Sequence, residues 1–128
     1  DSLLFEDMLD VISNSMEGDL IFANFVEFDT LYGHKRDVSG YAKALEDFDK
    51  KLPKLFTILD EEDLLIITAD HGNDPTFRGS DHTREQVPVL IRNKNFRNQN
   101  YGIVKFSDIG ATMSNFLGIE PVNGTAIR

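Results

Sequence analysis

Apolar residues follow two rhythms along the chain. Over residues 2–15, Leu3, Leu4, Met8, Val11 and Ile12 recur near helical spacing, and Gly18 follows where a helix can stop, so the spacing predicts a first helix. Leu20-Ile21-Phe22-Ala23-Asn24-Phe25-Val26-Glu27-Phe28 is instead short, apolar, aromatic and β-branched, the pattern of a strand buried on both faces for much of its length. It runs directly into Asp29. Tyr41, Leu45, Phe48, Leu52, Leu55, Phe56 and Leu59 return to steps of three and four and predict a long amphipathic helix over residues 38–59. Pro53 lies inside that pattern, and its missing amide predicts a kink or two abutting helices.

The charged connection Asp60-Glu61-Glu62-Asp63 leads into Leu64-Leu65-Ile66-Ile67-Thr68-Ala69, a second continuous apolar strand, which also ends at an aspartate, Asp70. Val87-Pro88-Val89-Leu90-Ile91 reads as a third strand with Pro88 near its start. Residues 93–100 form a polar loop. Ser107 suits the N-cap of a helix carrying Ile109, Met113, Phe116 and Leu117, with Gly118 at its end, and Pro121, Asn123 and Gly124 mark irregular chain. Strand, helix, strand and helix together predict an α/β layer with some parallel pairing.

Composition narrows the function classes. The 128 residues suit a single domain, and 41% hydrophobic with 27% charged residues is the balance of a globular protein. No apolar run approaches the roughly 20 residues that span a bilayer, and Asp1-Ser2-Leu3-Leu4 reads as a cut end rather than a signal peptide. The absence of cysteine removes disulfides and thiolate ligands and is compatible with a cytoplasmic location, so any metal must be held by oxygen and imidazole nitrogen. A net charge of −9 argues against nucleic acid and anionic membranes as partners.

In α/β sheets, ligands gather beyond the carboxyl ends of parallel strands. Two predicted strands aim an aspartate there, and all three histidines accompany them: Asp29 with His34, then Asp70-His71, then His82 beside Asp81. Carboxylates and imidazoles converging from several loops are the ligand set of a divalent ion. Asp29, His34, Asp70, His71 and His82 exceed what one structural ion needs, and paired ions suit phosphoryl transfer. The neighbours read more plainly. Lys35 and Arg36 belong to a charged loop, Thr83 and Arg84 to a turn able to meet a phosphate, and Ser80 and Thr76 lack the flanking residues of known nucleophile motifs. The Asn123-Gly124-Thr125 sequon reads as accidental.

Ile67-Thr-Ala-Asp-His-Gly-Asn-Asp-Pro-Thr, Gly79-Ser-Asp-His-Thr-Arg-Glu with Val87-Pro-Val-Leu, and the upstream Val26-Glu-Phe-Asp-Thr-Leu-Tyr-Gly-His-Lys-Arg-Asp closely resemble the phosphopentomutase family of the alkaline phosphatase superfamily, from about residue 19 to Gly118. The resemblance implies the C-terminal part of an alkaline-phosphatase-like metal-binding core, with a mostly parallel sheet flanked by helices. The N-terminal core segment and cap domain would lie outside these residues. It implies two manganese ions per intact enzyme, with zinc or another divalent ion as the alternative. Asp29, His34 and His82 would hold one ion, and Asp70 and His71 part of the other. The implied reaction interconverts ribose 1-phosphate or 2-deoxyribose 1-phosphate with the 5-phosphate, with a sugar bisphosphate as activator and a phosphorylated threonine as donor. No threonine here has a matching context, so the chain alone is expected to be inactive. Other members of the superfamily, such as a phosphoglycerate mutase, a phosphatase or a sulfatase, and a non-catalytic metal-binding fragment, are the alternatives.

Overall fold

The structure, a computed structural model, describes residues 1–128. The chain forms two compact units, one from Asp1–Asp60 with Thr68–Val89 and the other from Glu61–Ile67 with Leu90–Arg128.

The first unit opens with α1 (Ser2–Ser13). The helix stops before Gly18 because polar side chains take its last carbonyls: Ser13 Oγ donates to Leu9 O at 2.8 Å, Asn14 Nδ2 to Asp10 O at 2.7 Å and Ser15 Oγ to Ile12 O at 2.7 Å. Gly18, at φ +90°, turns the loop that follows. The long predicted helix divides into α2 (Val38–Asp49), capped by Asp37 accepting from Gly40 N, and α3 (Leu52–Ile58). Pro53 falls in the first turn of α3, where a missing N–H leaves no helical hydrogen bond unmade, so the break is placed at Lys50 and Lys51. α1 packs on α3, and Phe5, Leu9 and Leu55 of these two helices are buried.

An aromatic cluster extends that core. The Phe5 ring lies 6.2 Å from Phe25 and 6.1 Å from Phe48, and Phe28 lies 6.0 Å from Phe48 and 5.9 Å from Tyr41, mostly edge to face. This clamps residues 25–28, the lead-in to Asp29. The predicted strand over 20–28 is not formed as such. Ile21, Ala23 and Phe25 are partly buried while Leu20, Phe22, Asn24 and Val26 are exposed, so the period-two alternation survives, but no strand pairs with these residues. A strand is completed by its neighbour's hydrogen bonds, which an apolar pattern cannot supply. At Phe28 the chain enters a single π-helical turn (Phe28–Gly33).

The second unit holds most of β1 (Leu65–Thr68) and β2 (Val89–Arg92), the only strands, paired antiparallel. The α/β class stands, but the sheet in this chain is not the parallel one expected. β2 starts one residue after Pro88, which has no amide to give to a ladder. Beyond β2, the buried Asn93 donates from Nδ2 to the carbonyls of Glu61, Glu62 and Asp63, tying the end of one strand to the approach of the other.

α4 (Phe106–Phe116) completes this unit. Its cap is not Ser107. Asp108 instead reaches back to accept from Lys105 N at 2.9 Å and accepts from Thr125 N at 2.9 Å, pinning the C-terminal segment. Gly118 ends the helix as expected: at φ +71° it lets its own N–H reach Asn115 O and that of Ile119 reach Ser114 O, the paired bonds of a Schellman motif. No helix is long and apolar enough to cross a membrane.

The two backbone N–H groups hold the Asp108 carboxyl below the usual carboxylate range. A carboxyl with a lowered folded pKa contributes stability that is present above the unfolded value, about 3.9 for Asp, and lost as pH falls through the folded one. Thermal unfolding of wild type against Asp108→Asn should therefore converge on acidification below about pH 4. A gap between the two that stays constant through that window would show that the Asp108 charge contributes nothing.

Candidate metal centre

The candidate site lies within the first unit and joins two stretches of chain. Asp29 comes from the π-helical turn and His34 caps its end, and His71 and His82 come from the loop that leaves β1. In an α-helix, residues five apart point roughly 140° away from one another. The wider π turn, closed by His34 N donating to Asp29 O at 2.9 Å, brings that offset back toward one face. Asp29 and His34 therefore act together, which an α-helical turn would prevent.

The second stretch is held flush against the first. Thr83 N donates to Gly72 O at 3.0 Å across an isolated antiparallel bridge, and Thr83 Oγ1 accepts from Asp74 N at 2.7 Å. Gly72 has to be glycine because an added Cβ would lie 2.5 Å from Glu85 Oε2 and 2.9 Å from Thr83 O. Gly33 faces the same demand, with its Cβ position 2.5 Å from Asn73 Nδ2. That close approach lets the buried Asn73 donate to Asp29 Oδ1 at 2.5 Å.

Around Asp29 the donors converge. His34 Nε2 lies 3.2 Å from Asp29 Oδ2, His82 Nε2 lies 3.3 Å from Asp29 Oδ1, and the two imidazole nitrogens are 3.1 Å apart. The His71 ring stacks on His82 at 3.7 Å between centroids, and Asp29, His71 and His82 offer ligand atoms all within 4.8 Å of one another. Four of the five residues singled out from sequence thus meet. Asp70 stands at the margin, 81% exposed and 3.5 Å from His71 Nε2. Burial, and then the Asp29 charge, push the nearby Tyr41 phenol up. The hydroxyl and N–H of Thr76 hold Asp74 below its usual range, and Arg36 acts in the same direction.

Histidine orientation decides what these atoms can do. His34 Nδ1 faces Ser80 O in close contact and His71 Nδ1 faces Gly72 O at 3.3 Å, which assigns the ring proton to Nδ1 in both. Each Nε2 then presents a lone pair, and those lone pairs point at carboxylate oxygens and, for His34, at another imidazole nitrogen. Electron-rich atoms held at about hydrogen-bond distance repel unless a positive charge lies among them. A proton would serve one pair, whereas a divalent cation would serve Asp29, His34 and His82 together. The donor set of oxygen and imidazole nitrogen fits such an ion.

Two residues of this site were not singled out from the sequence. Arg36, read as part of a charged loop, and Asn73 both act through hydrogen bonds to residues far along the chain. Both lie inside the stretches that carry the family resemblance, which gave neither a role.

Residues 3–121 match the metalloenzyme superfamily. The chain is 55% identical over 119 residues to the phosphopentomutase of Sinorhizobium fredii (strain NBRC 101917 / NGR234), covering 92% of this chain and 29% of that protein. It is 51% identical over 126 residues to the phosphopentomutase of Buchnera aphidicola subsp. Baizongia pistaciae, covering 97% and 31%. Against the phosphopentomutase of Shewanella sp. (strain MR-4) the figures are 49% over 120 residues, 93% and 30%. The chain thus spans about 30% of the length of these curated relatives.

Proposed function

The chain belongs to the metalloenzyme superfamily, and from that premise we propose that it is the C-terminal part of the metal-binding core of a phosphopentomutase. The whole protein would interconvert ribose 1-phosphate or 2-deoxyribose 1-phosphate with the 5-phosphate, with a sugar bisphosphate as activator. The single observation that carries this reading is the convergence of Asp29, His34 and His82, with His71 stacked alongside, at the positions where the motifs resemble that family.

Asp29, His34 and His82 would hold one divalent ion, while Asp70 and His71 would supply part of the ligand set of a second. When bound, the ions polarise phosphoryl oxygens and offset the charge that builds on them during transfer. The chain's own residues orient that site. Asn73 fixes one oxygen of Asp29, backbone carbonyls fix the rings of His34 and His71, and the π turn keeps Asp29 beside His34. Manganese is the proposed ion and zinc the alternative, since the same ligands accept both. The threonine that carries the phosphoryl group, the cap domain and the strands that would make the sheet mostly parallel are assigned to other parts of the protein, and the cytoplasm is its proposed compartment. Residues 1–128 would form a single domain of that core.

A coupled assay for ribose 5-phosphate formation from ribose 1-phosphate tests the reading. With manganese and the bisphosphate present, the longer protein containing this chain is expected to turn over and the 128-residue chain alone to show none. A longer protein that hydrolyses phosphate esters but forms no 5-phosphate would assign the chain to a phosphatase instead.

A further inference from the structure

Arg36 stands out from the charged loop in which it lies. It is the only non-glycine residue in left-handed backbone, at φ +54°. For a residue with a Cβ that conformation is strained and persists only where surrounding interactions demand it. The demand is visible. The Arg36 side chain makes five hydrogen bonds and reaches no carboxylate with any of them: Nη1 donates to Gly33 O at 3.0 Å, Asn73 Oδ1 at 2.6 Å and Asp74 O at 3.1 Å, Nε to Gly79 O at 2.5 Å, and Nη2 to Asp81 O at 2.5 Å.

Those acceptors have a common property. Gly33 precedes His34, Asn73 donates to Asp29, and Asp81 precedes His82. Gly79 and Asp81 flank Ser80, whose carbonyl faces His34 Nδ1. The planar fork therefore ties both ligand-bearing stretches to one centre and clamps both neighbours of the carbonyl that orients His34. A lysine ammonium has three donors around a single point and cannot span these acceptors.

We propose that Arg36 is the positioning residue of the metal centre, setting the His34 tautomer through the clamped Ser80 carbonyl and holding His34, His82 and Asp29 in register. The proposal rests on the metal-site reading above for its effect on ion binding. Its effect on His34 does not depend on an ion.

The test uses the 128-residue chain as wild type, Arg36→Lys and Arg36→Ala. Long-range 1H–15N imidazole spectra of the metal-free chain, at about pH 8 so that ordinary imidazoles are neutral, should show wild-type His34 protonated at Nδ1 and a mixture of tautomers in both variants. Manganese titrations should show binding about 10- to 100-fold weaker in the variants, the usual effect of losing a group that orients a ligand. Guanidinium ion added to Arg36→Ala should restore part of that affinity, which a mere loss of fold stability would not allow. Circular dichroism checks the fold, and if Arg36→Ala unfolds, Arg36→Lys carries the comparison. An unchanged His34 tautomer with unchanged manganese affinity in Arg36→Lys would overturn the proposal. If wild type takes up no manganese while the variants still shift the His34 tautomer, the metal reading fails and the orienting role of Arg36 stands.

Discussion

Replacing His34 and His82 together by alanine is expected to weaken divalent ion binding by this chain sharply while leaving its fold in place. Of the three ligands assigned to the first ion, only Asp29 would remain, already accepting from Asn73, with His71 the one imidazole left within reach. Manganese titration by calorimetry should show one site in wild type and a loss of affinity of at least about 100-fold in the double variant, roughly 2.7 kcal/mol. The two imidazoles are only partly buried, with side chains 37% and 47% exposed, so their removal should shift stability by no more than about 0.5 kcal/mol. Melting curves of the metal-free proteins check that. Equal binding by wild type and variant would show that the convergence of these rings on Asp29 serves packing rather than ion capture. No second site is expected in wild type, because Asp70 is largely exposed and His71 is its only nearby partner among the five candidates.

Phe5→Ala should have the largest effect on stability. Phe5 is fully buried, packs against both the Phe25 and Phe48 rings, which also meet each other, and has Lys51 Nζ 5.5 Å from its centroid. Truncating a buried phenylalanine costs about 3–5 kcal/mol through lost transfer energy and the cavity left behind. Small domains hold only about 5–15 kcal/mol in all. The buried apolar core of the first unit consists of Phe5, Leu9 and Leu55, so little remains to compensate. Urea unfolding should show the midpoint falling by a large fraction of its wild-type value. A change below about 1 kcal/mol would mean that the aromatic cluster relaxes around the gap. Manganese affinity should weaken in parallel, because the same rings clamp residues 25–28 immediately ahead of Asp29.

Much of the candidate site was legible because its side chains are unusual. Three histidines, each near an aspartate and the last two joined by a polar loop, stand out in the chain, and the structure brings Asp29, His34, His71 and His82 together. The geometry was less legible. Asp29 was expected at a strand end and instead lies in a π-helical turn, whose wider winding leaves no periodic trace over only six residues. Arg36 looked like any loop arginine, since its five acceptors are backbone and amide oxygens whose positions depend on the fold.

What the sequence determined by itself is whatever one segment decides alone. Pro53 separates α2 from α3 because its missing amide acts within its own turn, and Gly118 ends α4 because only its own φ is at issue. One limit on the donor types follows directly from composition: with no cysteine, a metal here has no thiolate and is left with oxygen and imidazole nitrogen. The tertiary structure decided every question with a distant partner. Residues 20–25 keep a strand's alternation without joining a sheet, β1 pairs antiparallel with β2, and His34 meets His82 across 48 residues of chain. The physical reason is the same in each case. Side-chain period and turn chemistry are local properties, whereas a hydrogen-bond ladder or a converging ligand set forms only when packing brings separate segments to one place.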